Sequence, residues 1–269
     1  MGQVQEILGI RFDLIDAPTA WQTIRQWRAG GRRDYITQTS AVNVMNCRRD
    51  ERLRSATMGA GLTLPDSTGI ILAAMLLRLS HHGRVPGPDL MLRCCDWGRA
   101  EGYRHYFYGG APGVAEELTR RLCARYPGLQ VAGICCPPFR ELSSREEEAV
   151  LEQINDAHPD IVWVGLGSPK QEKWMADHVG RIQAAALIGV GAAFDFHSGN
   201  IRRAPAWIRR IGLEWLFRLL RDGRRWRRYL DLPRFVWALS LEIVHRRRHG
   251  RAAAPQERPE QDPRRATSR

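Results

Sequence analysis

The sequence is almost without lysine. Of its 41 lysine and arginine residues, only Lys170 and Lys173 are lysine, which leaves 41 − 2 = 39 arginines. Both lysines lie in the segment GLGSPKQEKW, residues 165–174. The net charge of +12 predicts a surface that attracts nucleic acid, anionic lipid or phosphorylated small molecules. A codon bias towards arginine is the alternative explanation of the excess.

Several motifs and targeting segments are also missing. The six cysteines match no zinc spacing and no CxxC motif, so we expect buried thiols in a reducing compartment. The first residues do not have the pattern of a signal peptide, and the longest apolar runs, residues 69–77 and 235–244, are too short to span a bilayer. We therefore expect a cytoplasmic protein whose contact with a membrane is peripheral.

From residue 104 onward, apolar strands alternate with amphipathic helices. Strands are predicted over 104–110, 128–136, 159–167 and 184–196, with helices over 111–127, 143–158 and 168–180. Regular alternation of this kind predicts a parallel sheet with helices on both faces. The first hundred residues are similar, with strands over 6–15, 34–40 and 61–68 and helices over 17–30, 41–58 and a buried helix over 69–80.

This pattern predicts a Rossmann-like α/β core over residues 1–200. A basic helical appendage is expected over 201–245, and a disordered tail over 246–269, where apolar periodicity is absent.

Two strand-to-helix junctions have the composition of phosphate sites. Gly109, Gly110 and Gly113 allow the backbone to approach a phosphate at a helix start, although a tight turn explains them equally well. In the second junction, Ser168 can cap the next helix and Pro169 suits its first position.

After Pro169, the second junction has a positively charged side chain, Lys170, and an amide side chain, Gln171. Lys170 offers a compact charge to a diphosphate, and Gln171 offers a donor and an acceptor to sugar hydroxyls. A tight fit that admits only an ammonium would explain the lysine, while Lys173 is expected to brace the helix. A solvated first turn is the alternative.

Four further residues are candidates for chemistry. Asp66 follows an apolar strand and is either a general base or a helix cap. Arg84, in the loop 82–91 with its prolines and glycines, suits a phosphate clamp or is an ordinary surface residue. Asp195 follows an apolar strand and could accept ribose hydroxyls, whereas His197 is interpreted as a loop residue.

Residues 202–228 are strongly basic. They contain ten arginines against Glu214 and Asp222, which gives 10 − 2 = +8. On a helical wheel the apolar residues fall on one side and arginines on the other, as in a helix lying on an anionic membrane. Nucleic acid is an alternative partner, and a plain solvated helix is the third interpretation.

Over residues 5–240 the chain resembles the WecG/TagA/CpsF family of bacterial glycosyltransferases. The resemblance is carried by GLGSPKQEKW, by GVGAAFDFHSGNIRRAPAWIRRIGLEWLFRLL, and by RVPGPDL and TLPDSTGI. It implies an inverting, metal-independent enzyme without cofactor that moves N-acetylmannosamine or another hexose from a UDP donor to a polyprenyl-diphosphate-linked sugar. The implied pathway is cell-surface polysaccharide or teichoic acid synthesis at the inner face of the cytoplasmic membrane.

The resemblance also implies roles for single residues. Asp66 matches the catalytic base, Thr37 and Arg84 match sugar-site and loop positions, and Gln171 matches a donor contact. The resemblance assigns the lipid diphosphate and the membrane to the arginines of the appendage, among them Arg218, Arg221, Arg225 and Arg228.

Two departures from the family pattern flank the expected donor-sugar pocket. The chain has Thr39 where the family commonly has asparagine and Ser67 where it commonly has glycine. The identity of the donor sugar is therefore open, and a sugar other than N-acetylmannosamine is an alternative. The oligomeric state is also left open, and a homo-oligomer is one possibility.

The competing hypothesis is a non-enzymatic α/β protein that binds nucleic acid. The transferase hypothesis, in contrast, expects no nucleic-acid partner.

Overall fold

The computed structural model of the chain describes residues 4–221 and 226–248. The strands are β1 (Val4–Ile7), β2 (Ile10–Asp13), β3 (Asp34–Thr39), β4 (Leu62–Pro65), β5 (Arg104–Gly109), β6 (Gln130–Cys135), β7 (Ile161–Gly165) and β8 (Ala186–Gly189). The helices up to the second glycine-rich junction are α1 (Ala17–Ala29), α2 (Ala41–Cys47), α3 (Glu51–Met58), α4 (Thr68–Leu76), α5 (Gly87–Trp97), α6 (Val114–Arg125) and α7 (Ser144–Asp156). They are followed by α8 (Lys170–His178), α9 (Ala193–Ser198), α10 (Ala206–Arg210), α11 (Glu214–Arg221), α12 (Trp226–Tyr229) and α13 (Asp231–Arg248). A short 3-10 helix, Gly98–Glu101, follows α5.

A six-stranded parallel sheet forms the centre of the molecule, with the strand order β4-β3-β8-β7-β5-β6. Helices cover both of its faces because its strands are apolar on both sides. Trp21 of α1 and Leu118 of α6 pack with Trp163 on one face, while Ile154 of α7 and Met175 of α8 lie in the cluster on the other. The predicted Rossmann-like α/β fold is confirmed.

A second core lies beside β4 and joins the two ends of the chain. The hairpin β1–β2 contributes Phe12, and α2 and α4 contribute Val44 and Ile70. Phe235 and Leu239 of α13 complete this cluster, so α13 packs as part of the core rather than as a separate appendage. The boundary predicted at residue 201 stays a prediction.

Three predicted elements are divided in the structure. Residues 6–15 form parts of two strands, because Leu8 and Gly9 have φ values of 52° and 79° and turn the chain into a hairpin. Residues 41–58 form two helices, because the Asp50 side chain accepts a hydrogen bond from the Leu53 amide and starts α3. Residues 184–196 form the short strand β8 and then the start of α9.

Helix α4 is not fully buried, as the apolar run had suggested. Leu72, Met75 and Leu76 are each more than half exposed, whereas Ile70 faces the second core. At the other end of the chain, α13 continues to Arg248, three residues into the predicted tail. The remainder of that tail lies outside the described residues.

Candidate functional site

The candidate site is the edge of the sheet where the parallel strands end. The strand ends there are Thr39, Pro65, Gly109, Gly165 and Gly189. In the strand order of the sheet, β5 lies four strand-to-strand spacings from β4. At about 4.8 Å per spacing, this edge is about 19 Å long between those two strands. Ligands of open α/β sheets bind beyond this edge.

Asp66 lies at the β4 end of this edge, directly after the strand. Its amide donates a hydrogen bond to the Thr39 carbonyl oxygen at 3.1 Å, which ties the ends of β3 and β4 together. The hydroxyl of Ser67 accepts a hydrogen bond from the Ala41 amide at 3.2 Å. Helices α2 and α4 therefore begin side by side, with the half-buried Asp66 between strand and helix.

The two threonines assigned to the donor sugar are buried. The Thr37 hydroxyl lies 3.3 Å from the Thr63 hydroxyl, which in turn donates to the Thr57 carbonyl oxygen. Thr37 is therefore held inside the protein, with its hydroxyl bonded to a neighbouring strand. Thr39 is also buried, at the last position of β3. Thus the structure does not present the Thr37 hydroxyl at an open surface.

Gln38, between these threonines, is a residue that sequence analysis missed. Its side chain is 6% exposed, and within residues 4–221 and 226–248 neither its amide oxygen nor its amide nitrogen has a hydrogen-bond partner. Buried amides are normally paired, so an unpaired one near a ligand edge is a candidate ligand contact. No sequence motif marked it, because a glutamine in an apolar strand resembles any other polar interruption.

The glycine turn after β5 is built around a close backbone approach. Gly109 has a φ of 120°, and a Cβ on it would lie 2.7 Å from the Gly165 carbonyl carbon. The Gly110 amide donates to the Gly165 carbonyl oxygen at 3.3 Å. Gly113, with a φ of 81°, is the N-cap of α6, so the helix begins after Pro112 and does not include that proline, contrary to the prediction. The strand-to-helix junction itself is confirmed.

The junction after β7 differs from the prediction in its cap. Pro169 is the N-cap of α8, and the Ser168 side chain makes no capping bond. Lys170 is exposed, so the protein does not enclose it in a tight fit. Lys173 braces the helix as predicted, because its Nζ lies 2.5 Å from Asp50 Oδ2.

The Gln171 side chain is turned into the protein. It is 3% exposed, and its Oε1 accepts a hydrogen bond from the Gly191 amide at 3.0 Å. Its Nε2 lies 3.4 Å from Glu172 Oε1. In this arrangement Gln171 fixes the turn after β8 and does not offer a free amide to a ligand.

Asp195 and His197 lie on α9 and have local partners. Asp195 Oδ1 accepts a hydrogen bond from the Asn200 side chain at 2.8 Å. His197 is on a helix and not in a loop, and its Nε2 donates to the Pro88 carbonyl oxygen at 2.8 Å. Burial lowers its pKa, so the neutral ring holds the start of α5 in place.

Arg84 is held in an ion-pair network instead of being free in a loop. Its Nη2 donates to the Arg209 carbonyl oxygen at 2.6 Å, and its Nη1 lies 3.7 Å from Glu214 Oε2. Arg203 joins Glu214 to Asp89, with a 2.5 Å contact to Asp89 Oδ1. Burial raises the pKa of Asp89, but the hydrogen bonds and charge of Arg203 outweigh it and leave that pKa lowered. The network fastens α10 and α11 to the start of α5.

The predicted basic helix of the appendage is described in two pieces, α11 and α12. Arg221 is exposed, and its guanidinium lies 5.6 Å from the centre of the Phe217 ring. The side chains of Arg218 and Arg228, and the whole of Arg225, lie outside the described residues, so their predicted role stays a prediction.

Within residues 4–221 and 226–248, no group of three or more His, Cys, Asp or Glu side chains is arranged to hold a metal ion. No helix of that part of the chain is long and apolar enough to cross a membrane.

A parallel α/β sheet with glycine turns at one edge defines a Rossmann-like protein, a fold class whose ligands bind beyond the strand ends. The chain belongs to the glycosyl transferase WecG/TagA/CpsF family, whose model matches residues 5–249. The protein is therefore a glycosyltransferase, and the non-enzymatic hypothesis is wrong.

The curated relatives share one activity in their names. The chain is 32% identical over 206 residues to the N-acetylglucosaminyldiphosphoundecaprenol N-acetyl-beta-D-mannosaminyltransferase of Bacillus spizizenii, covering 77% of this chain and 76% of the relative. The enzyme of the same name from Bacillus subtilis is 31% identical, with 66% and 68% covered. That of Staphylococcus aureus strain MW2 is 29% identical, with 67% and 69% covered.

Proposed function

We propose that the protein transfers a hexose from a UDP-linked donor to a sugar on a polyprenyl diphosphate, with inversion and without a metal. The observation that carries this proposal is the placement of Asp66 and the glycine junctions on one edge, about 19 Å apart. That separation suits an extended nucleotide-diphosphate sugar lying along the edge. The relatives' names supply the acceptor, an N-acetylglucosaminyl-diphospho-undecaprenol.

The nucleotide end of the donor is assigned to β5 and β7. The turn containing Gly109, Gly110 and Gly113 leads into α6, and the 165–171 junction leads into α8. Free amides and the dipole at a helix start favour a phosphate group. Lys170, exposed at the first position of α8, adds a positive charge to the same edge.

The transfer itself needs one base. Asp66 takes the proton of the acceptor hydroxyl, whose oxygen attacks the anomeric carbon from the face opposite the diphosphate. The bond from that carbon to the diphosphate oxygen breaks, and UDP leaves with the electron pair. A new glycosidic bond of inverted configuration forms, and the charge on UDP is stabilised by the helix starts and Lys170.

The donor sugar is proposed only as a hexose. Two features of the pocket differ from the expected family pattern, Thr39 and Ser67, and the Ser67 hydroxyl is engaged with the Ala41 amide. The buried amide of Gln38 has no partner among the described residues and is a second candidate contact, which a ligand would reach only if neighbouring side chains moved. A screen of UDP-sugars as donors, each with and without the lipid-linked acceptor, identifies the sugar.

Peripheral membrane contact is proposed on the basis of exposed apolar side chains. They lie on α4 and in the segment after residue 205, and include Leu72, Met75, Leu76, Trp207, Ile211, Trp215, Leu220, Trp226, Val236, Trp237 and Leu241. Gly212 packs against Thr68, so the two sets lie on neighbouring elements. Apolar residues beside arginines suit the surface of an anionic bilayer.

The direct test of the base is Asp66→Asn, assayed with purified lipid-linked acceptor. A general base contributes about 10²–10⁴-fold, so the variant should lose at least about a hundredfold in rate. Asp177→Asn is the matched control, since Asp177 pairs with Arg52 on an exposed surface. Transfer by Asp66→Asn at nearly the wild-type rate would refute the assignment. Activity that survives a chelator supports the metal-free mechanism, and activity lost until Mg²⁺ is restored overturns it.

A further inference from the structure

A cavity of about 540 Å³ lies among α5, α6 and α10. Five arginines line it, namely Arg84, Arg93, Arg125, Arg209 and Arg210. The carboxylates of its lining are Asp89 and Asp96, so the lining has a formal charge of 5 − 2 = +3. Arg84 is also a candidate residue of the transfer site, whereas Arg93, Arg125 and Arg210 have no part in the proposed transfer mechanism.

The cavity extends from near the catalytic edge, where Asp66 lies, along the flank of the molecule. The Val85 amide donates to the Pro65 carbonyl oxygen, so Arg84 lies near that edge, while Arg93 and Arg125 lie further from it. Asp89, Arg93 and Asp96 follow each other at intervals of four and three residues, so they form one stripe along α5. Helix α6 starts at the catalytic edge after Gly113 and has 12 residues. Arg125, its last residue, therefore lies about 18 Å along the helix from that edge.

The carboxylates of the lining are already paired with arginines. Asp89 contacts Arg203 at 2.5 Å and Arg209 at 3.4 Å. Asp96 pairs with Arg99, which is not part of the lining. The two negative charges are therefore neutralised by partners that hold the fold together.

Three of the lining arginines have no such partner. Over residues 4–221 and 226–248, no carboxylate oxygen lies within 4.0 Å of Arg93, Arg125 or Arg210. The Arg93 guanidinium lies 5.7 Å from the centre of the Trp97 ring, and that of Arg125 lies 5.3 Å from the centre of the Tyr126 ring. Stacking of this kind orients an arginine and leaves its N–H groups available to a ligand.

We propose that this cavity is a second anion site, which binds a phosphate or diphosphate group. Three like charges around one partly enclosed space repel one another, and a bound dianion would relieve that repulsion. Guanidinium N–H groups pair with phosphate oxygens in bidentate fashion, which suits a phosphate better than a monovalent ion.

The phosphate can come from a soluble ligand or from the head group of an anionic lipid. Helix α10 contributes Ala206, Arg209 and Arg210 to the cavity. Trp207 of this helix is 65% exposed, and Ile211, directly after it, is 57% exposed. A head group in the cavity would thus lie beside side chains able to enter a bilayer. The chemistry of recognition is the same for both sources, and the experiment separates them.

The test compares Arg93→Gln/Arg125→Gln with a control that removes the same charge, Arg48→Gln/Arg145→Gln, from exposed positions outside the cavity. Calorimetric titration with inorganic pyrophosphate measures the binding of a soluble phosphate ligand. Flotation with phosphatidylglycerol–phosphatidylcholine vesicles measures the binding to an anionic lipid surface. Neither readout depends on sugar transfer, so the result is separate from the fate of the proposed function.

In at least one of the two measurements, the cavity variant should bind about tenfold or more weakly than both the wild type and the control. In the calorimetric titration, the loss of one bound pyrophosphate per protein would count equally. Equal binding by the cavity variant and the control in both measurements overturns the proposal. Without ligand, the cavity variant should melt at the same temperature as the wild type or higher, because repulsion is removed. If the cavity variant fails to fold, Arg210→Gln is tested against Arg145→Gln. Weaker binding by Arg210→Gln is the expected result, and equal binding by the two variants overturns the proposal.

Discussion

Gly212 lies directly against Thr68, the first residue of α4. A Cβ on Gly212 would lie 2.7 Å from Thr68 Oγ1, 2.8 Å from its Cγ2 and 2.9 Å from its Cβ. Rotation of the threonine cannot relieve all three contacts, because Cβ does not move with χ1. The connection between α10 and α11 is therefore fitted onto the helix that follows Asp66.

Gly212→Ala should displace this connection from α4. The residue also has a φ of 79°, where a side chain costs roughly 1–2 kcal/mol. Gly31→Ala is the matched control, since Gly31 has a φ of 66° but nothing within 4 Å of a Cβ. Both variants should unfold at lower urea concentration, and Gly212→Ala should in addition lose transfer activity. Equal activity of the two would show that the contact with α4 has no bearing on the site.

Two buried glutamines should respond oppositely to replacement by leucine. Gln38→Leu removes an amide that has no partner among the described residues, so it should leave stability unchanged or raise it by about 1 kcal/mol. Gln171→Leu removes the acceptor of the Gly191 amide and should cost about 1–3 kcal/mol. Urea denaturation measures both. A Gln38→Leu variant as destabilised as Gln171→Leu would mean that the Gln38 amide is bonded within the fold.

His105 should make the protein sensitive to acid. Burial lowers its pKa from 6.5 to about 3, and its Nδ1 accepts a hydrogen bond from Trp163 Nε1 at 3.1 Å. The unfolded chain binds a proton below pH 6.5 and the folded one does not, so stability is lost as pH falls from 6.5 towards 3. The expected slope from this group is about 1.4 kcal/mol per pH unit.

His105→Gln keeps an acceptor for Trp163 and removes the titration. Its free energy of unfolding should fall less steeply than that of the wild type between pH 6 and pH 4. Parallel curves for the variant and the wild type would contradict the role assigned to the buried ring.

Position 170 should accept either basic side chain. Lys170 is exposed at the start of α8, so a guanidinium has room there. Lys170→Arg should therefore keep donor KM within about twofold, while Lys170→Gln should raise it several-fold through the loss of charge near the diphosphate. A large defect in the arginine variant would mean that donor binding encloses the lysine, in contrast to the free structure.

The parallel sheet could be predicted because each strand and helix carries its own pattern. Apolar runs that end in glycine, followed by capped amphipathic helices, define the strand ends and hence the edge where Asp66 and Gly109 lie. The hairpin turn at Leu8–Gly9 was missed because a leucine with a φ of 52° has no sequence signal.

The polar partners within the site could not be predicted in the same way. Asp89 and Arg203 are 114 residues apart, and their pairing depends on how α10 folds back onto α5. The burial of Thr37 and Gln171 depends likewise on neighbours from other strands. A single sequence records the presence of these side chains but not which of them meet.

The junction of the N-terminal hairpin with α13 has a consequence for how the protein is made. The Leu8 amide donates to Glu242 Oε2 at 2.9 Å, and Phe235 and Leu239 cover the apolar face that includes Phe12. During translation the hairpin is synthesised well before α13. Until α13 follows, the nascent chain carries an uncovered apolar face, and a product truncated before Asp231 would leave that face exposed to chaperones and proteases.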